Sequence, residues 1–404
     1  MTSWNAIYMS VAYFETIEGK AVISRLGLAQ NIPWLLTMIV MVCWPQATDS
    51  ARGALYTIFV THVYMLALCI LFPVLVFKGV QVSSVVLYVL VAVNGVTTGL
   101  SQSFVAACSA LFSRYPSCRG TTSYQLMGAA FGISTPTMIQ LFLIPRMLKA
   151  KSSTQSYNIT LFSIEVVFPC AAAMLVLSLA ALLYVVRHAI FRAAEEEGIT
   201  NCCATCETAA QRAVQQQPPP RLTARRLWPV IVTVGAEVII SAVMSFACAT
   251  SPHLTPIDDT AFWSRNLDTV ALISFSISSF IGRAIPEQTS GVKWLNRMFR
   301  APATLVLLVL SQIVFLAGVV AYVQCQHTCF YFITSWDKNN AIIVTWYALG
   351  AVLSGAGIVA LSRYAQESCR KSHVLACSTV GQLIWLGLQV GSVIGIAVSL
   401  LNGS

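Results

Sequence analysis

A few side chains able to do chemistry sit where the surrounding sequence is almost wholly apolar. His62, Glu165, Glu237 and Arg283 lie inside long hydrophobic stretches, with Asp268 near the end of another. Ionisable groups in such stretches are costly and persist where they face a partner, a passage or a bound solute. Arginine cannot relieve the cost by losing its proton. Arg283 therefore needs an anion, water or the membrane interface, and Glu237, near the middle of the preceding stretch, is the candidate counter-charge. Glu165 lies closer to an outer end. Two helical faces carry further polar groups. Asn94, Thr98 and Gln102 recur at i, i+4 and i+8, flanked by Thr97, Ser101 and Ser109, while Asp268, Ser276, Ser279 and Arg283 fall on one face of a later helix. Hydroxyls and amides of this kind glue helices together. Gln102 and Arg283 are the two expected to line a cavity.

The elements that must position them are membrane spans. A crossing helix needs about 20 apolar residues. Ten stretches qualify: Gly27–Ala47, Ala54–Phe77, Val82–Phe112, Thr121–Ile144, Phe162–Val186, Leu227–Ala249, Leu267–Pro286, Ala303–Val323, Asn340–Leu361 and Val374–Leu401. An eleventh, Met1–Phe14, is apolar but short and reads as the second half of a helix. The expected fold is an all-α polytopic membrane protein of about eleven transmembrane helices, the first one truncated. The polar segment 187–226 holds three consecutive glutamates, Cys202, Cys203 and Cys206, and glutamines running into three prolines. It cannot build a core and reads as a flexible linker. It divides the chain into an N-terminal bundle (1–186) and a C-terminal bundle (227–404). Gly387, Gly391 and Gly395 recur every four residues in the last span, and Gly350, Gly355 and Gly357 crowd the one before. Such faces allow close helix approach.

Composition agrees. The chain is 57% hydrophobic and 10% charged, with a mean hydropathy of +0.73, against about a quarter charged for soluble domains. The net charge of +9 is spread between apolar stretches rather than gathered in a patch, so nucleic acid is not an expected partner, and the lipid bilayer is. With the linker placed in the cytoplasm, 15 basic residues fall on that side, 8 on the other, and Arg283 within a span, out of 24. That bias obeys the positive-inside rule and puts the C-terminus outside. It also puts the sequon Asn158-Ile159-Thr160 outside, making Asn158 a candidate glycosylation acceptor. The 13 cysteines form no zinc or disulfide framework; the linker trio suits acylation better than a four-ligand zinc site. No histidine cluster, paired aspartates or serine–lysine arrangement sits at catalytic spacing in the spans, so neither an enzyme nor a cofactor or metal is expected.

Several landmarks in order resemble the equilibrative nucleoside transporter family, in a trypanosomatid-like version. Trp4-Asn5 followed by Tyr13-Phe14 resembles the family's first helix. Asn94-Gly95 with Gly99, Gln102 and Ser103 resembles the fourth, and Gln125 with Gly128 the fifth. The run from Phe275 to Gly282-Arg283 resembles the eighth-helix signature, Ser354-Gly355 the tenth, and Gly387 with Gly391-Ser392 the last. The resemblance implies a major-facilitator-like arrangement of six plus five helices around a midplane site, in a plasma-membrane carrier that moves nucleosides or nucleobases by alternating access. It also implies substrate contacts from Trp4, Gln102, Ser276, Ser279 and Arg283. Three positions depart from the pattern: Ser3 replaces proline, Ser276 replaces asparagine, and Ser279 replaces the aspartate that pairs with the arginine. Glu237 is expected to take over that pairing, and it is the candidate for coupling transport to protons. These departures keep two alternatives open: a carrier of another small solute, and a transport-deficient receptor or scaffold derived from a transporter.

Overall fold

The structure is a computed structural model that describes residues 6–7, 22–44, 51–77, 84–112, 125–126, 128–129, 132, 153–187, 224–251, 254, 263–288, 292–325, 340–372 and 377–403. Among the described residues there is no strand. Ten helices follow in chain order: α1 (Val22–Cys43), α2 (Ala51–Phe77), α3 (Ser84–Phe112), α4 (Ser153–Arg187), α5 (Ala224–Thr250), α6 (Trp263–Gln288), the short α7 (Lys293–Arg300), α8 (Pro302–Cys325), α9 (Ala341–Ser372) and α10 (Cys377–Gly403). Helices are what an apolar chain of this kind must form, because lipid offers backbone groups no partner. Eight of them are long and apolar enough to cross a bilayer, and α6 has a shorter apolar run, Val270–Pro286. The chain is thus an all-α, multi-pass membrane protein.

Nine of the ten full-length stretches read from the sequence correspond to helices, with shifted ends. The first stops at Cys43, ahead of Pro45, because the residue before a proline is pushed out of helical geometry. The ninth stretch runs eleven residues past Leu361, to Ser372. Ser153–Tyr157 precedes Asn158 in α4, so the candidate glycosylation acceptor lies on a helix rather than in a loop. Of Thr121–Ile144 only 125–126, 128–129 and 132 are described, as helix. Of Met1–Phe14 only Ala6 and Ile7 are described, helical and buried in the N-terminal core. Linker residues 188–223 lie outside the described residues.

Glycine faces set the helix pairs. A Cβ at Gly95 would overlap the Gln30 carbonyl, and one at Gly99 would lie 3.0 Å from the Trp34 carbonyl, so α3 runs parallel to α1 with backbones touching. Gly387, Gly391 and Gly395 meet the carbonyls of Val234, Val238 and Ala242 at constant offset, which makes α10 parallel to α5. Gly282 meets the Val352 carbonyl and Gly355 the Ser279 carbonyl at one close crossing, and Phe275 packs on Tyr347 while Arg363 Nη1 donates to the Pro286 carbonyl at 2.8 Å, so α6 runs parallel to α9. Antiparallel contacts complete each half. Phe72 stacks on Phe168 with ring centroids 5.0 Å apart, and His62 meets Ser178 at 3.1 Å, joining α2 to α4. In α8 and α9, Gln312 meets Ser354, and Phe315 packs on Trp346. The triples α1–α2–α3 and α6–α8–α9 share one pattern: the first and third helices are parallel, and the second packs antiparallel on the third. The two halves meet mainly where α10 packs on α1 and α3.

Core distribution is uneven across the layer. On the side away from the linker, each half keeps its own apolar cluster, one around Phe72 and Phe168 and one around Phe275, Phe315 and Tyr347. On the linker side a single cluster crosses both halves: Trp34, Met38, Ala106 and Leu126 pack with Ile240, Leu305, Ile358, Val380 and Trp385. Exposed Trp44, Tyr56, Tyr184 and Trp228 ring the linker-side helix ends, as aromatic belts do at a membrane interface.

Candidate functional site

The polar face of α3 divides between packing and an open end. Asn94 is fully buried and its amide donates to Gln30 Oε1 at 3.1 Å. Thr98 turns back to the Asn94 carbonyl at 2.7 Å. Asn94 is used up in the α1–α3 contact and Thr98 within α3 itself. One turn further, Gln102 holds a buried Oε1 with no hydrogen-bond partner, and so does the Ser103 hydroxyl. Ser109 donates to Gln125 Oε1 at 2.6 Å, tying α3 to the helical residues around Leu126.

Arg283 lies next along this seam. Ser276, Ser279 and Arg283 are all buried on α6. Nη1 of Arg283 donates to the Leu126 carbonyl at 2.9 Å, a bond from the C-terminal half to the N-terminal half, while Nε has no partner. Glu237, on α5, is fully buried: Oε1 accepts from the Ser362 hydroxyl at 3.3 Å and Oε2 accepts from nothing. No hydrogen bond joins the two side chains. The arginine takes a backbone carbonyl and the glutamate a serine hydroxyl. Asp268 is half-buried near the start of α6.

Trp4, the expected aromatic contact, lies outside the described residues. The sequence reading missed several groups that the fold gathers near the seam. Trp34 is buried with its indole N–H unpartnered, its ring 3.1 Å from where a Cβ on Gly99 would stand, one turn from Gln102. Gln382 on α10 has a buried, unpartnered amide nitrogen, next to Gly381, which packs against Ala106. Gln389 donates to Asn31 Oδ1 at 2.6 Å and to the Asn31 carbonyl at 3.2 Å, joining the halves at mid-depth. Amides inside spans are as conspicuous as charges, and a search extended to them would have marked Gln30, Asn31, Gln382 and Gln389.

Chemically the seam is a set of hydrogen-bond donors and acceptors from both halves. Buried polar atoms are normally satisfied by protein or water, and each one left alone costs about 1–3 kcal/mol. Gln102 Oε1, Glu237 Oε2, Arg283 Nε, Gln382 Nε2 and Trp34 Nε1 are buried without a hydrogen-bond partner, as are Gln30 Nε2, Tyr88 Oη and Gln312 Nε2 within the separate halves. No family model matches the chain, and no curated protein matches it.

Proposed function

We propose that the protein is a solute carrier in which two helical halves rock about a central polar seam, and that its solutes are nucleosides or nucleobases. The observation that carries this reading is the group of buried, unpartnered polar atoms contributed by both halves: Gln102 from α3, Glu237 from α5, Arg283 from α6 and Gln382 from α10. A permanently dry interface would have no reason to retain them, whereas a passage admitting water and solute supplies the missing partners. The repeated helix pattern of the two halves fits a rocking carrier. Their shared apolar cluster on the linker side and separate clusters on the other side suit a form closed toward the linker. A purine or pyrimidine offers both donors and acceptors, and base–aromatic stacking contributes about 1–3 kcal/mol. Trp34 and Gln102 are the base contacts in this reading, with Ser276, Ser279 and Arg283 on the sugar. Glu237 is the proton carrier in this reading.

The test is uptake of radiolabelled adenosine, inosine and hypoxanthine into proteoliposomes, with and without an imposed pH gradient. Saturable uptake that Gln102→Ala abolishes is expected; no uptake of any of the three refutes the substrate class. A second reading, a non-transporting receptor or scaffold, is favoured by the Arg283–Leu126 bond, which ties the halves together. It predicts saturable binding without accumulation in the vesicles.

A further inference from the structure

The short helix α7 joins α6 to α8 on the linker side, and its sequence Lys-Trp-Leu-Asn-Arg-Met-Phe-Arg alternates basic and apolar residues at helical spacing. Successive side chains turn by about 100° around a helix, so this octet divides into three sectors. Phe299 turns inward and packs against the linker-side apolar cluster. Trp294 and Met298, one turn apart, are exposed at 66% and 39%. Lys293 and Arg297, also one turn apart, are exposed on the neighbouring sector. The helix packs on α8 and α9 and lies at the same end of the bundle as the aromatic ring of Trp44, Tyr56, Tyr184 and Trp228. Protein contact, apolar contact and charge are thus presented side by side at the linker-side end of the bundle.

An exposed tryptophan beside an exposed methionine has no stabilising environment in water, and acyl chains provide one. Two cations displayed immediately above that edge meet the phosphate level of the same leaflet, where their long side chains can extend. We infer that α7 is a lipid-binding element that selects anionic phospholipid headgroups on the linker side of the membrane, with Lys293 and Arg297 on the phosphates and Trp294 and Met298 in the acyl boundary. Charge complementarity picks the occupant: a zwitterionic headgroup offers the two cations no net attraction, whereas each basic side chain at an anionic surface raises lipid partition about fivefold. The inference does not depend on what the protein transports.

The full chain in phosphatidylcholine nanodiscs, probed by electron spin resonance with spin-labelled phosphatidylglycerol or spin-labelled phosphatidylcholine, tests it. The wild type is expected to immobilise the anionic label preferentially. Lys293→Gln/Arg297→Gln should lose most of that preference, and Lys293→Arg/Arg297→Lys should keep it. Arg25→Gln/Lys338→Gln, which removes equal charge from residues assigned to the opposite side, should also keep it. If the glutamine pair does not purify as a monodisperse protein, Arg297→Gln alone is compared, with a partial loss expected. Equal immobilisation of both labels by the wild type overturns the assignment, as does full preference in the glutamine pair or in Arg297→Gln.

Discussion

The packing of α10 on α3 at the linker side can be made covalent and tested directly. Gly381 of α10 lies against Ala106 of α3, and a Cβ placed on Gly381 stands 3.9 Å from the Ala106 Cβ. Disulfides need about 3.5–4.5 Å between Cβ atoms, so Ala106→Cys/Gly381→Cys should oxidise without backbone movement in the form described. In a background freed of the native cysteines, with a protease site in the linker, the crosslink holds the two cleaved halves in one band on a non-reducing gel. The bond closes a loop of roughly 275 residues, for which chain-entropy arguments give about 5.6 kcal/mol of stabilisation against unfolding. A carrier that must part α3 from α10 to release solute cannot do so across a covalent bond, so its rate should fall far more than the tenfold that about 1.4 kcal/mol on the barrier would cause. Uptake should fall to background on oxidation and return with reductant, while solute binding from the opposite side persists. A fully crosslinked protein that still transports at its reduced rate would refute the rocking mechanism. Failure of the pair to crosslink at all would refute the packing of α10 on α3.

Three further outcomes follow from other contacts. Asn31→Leu or Gln389→Leu alone strands a buried amide and should lower stability by about 1–3 kcal/mol, whereas the double variant should recover part of that loss; thermal unfolding in detergent, followed with a thiol-reactive dye on the buried cysteines, measures it. Gly391→Ala places a methyl group onto the Val238 carbonyl and should be strongly destabilising, while Gly235→Ala, which meets nothing within 4 Å, should be neutral or stabilising by up to about 1 kcal/mol; the yield of monodisperse protein separates the two. Glu237→Gln keeps an oxygen for the Ser362 hydroxyl but removes the charge, so it should fold and bind solute yet make uptake indifferent to a pH gradient; gradient-driven accumulation equal to that of the wild type would exclude Glu237 as the proton carrier.

The membrane character of this chain was legible from its residues alone. Apolar length and missing charge are summed along the chain, and no tertiary contact can reverse the cost of exposing such stretches to water. Nine of the spans and the conspicuous, buried Glu237 and Arg283 could be read for that reason. Helix ends were less certain, because α4 and α9 continue past their apolar runs, where propensity and packing decide. What only the tertiary structure decided was who faces whom. Gln30 takes Asn94 and leaves Gln102 open; Gly95 and Gly99 find α1, while Gly387, Gly391 and Gly395 find α5. Arg283 reaches the Leu126 carbonyl rather than Glu237. Helical periodicity assigns a residue to a face, but the partner of that face depends on how the described helices pack together, and that arrangement is settled by small residues and amides that meet from positions 64 to 157 apart in the chain.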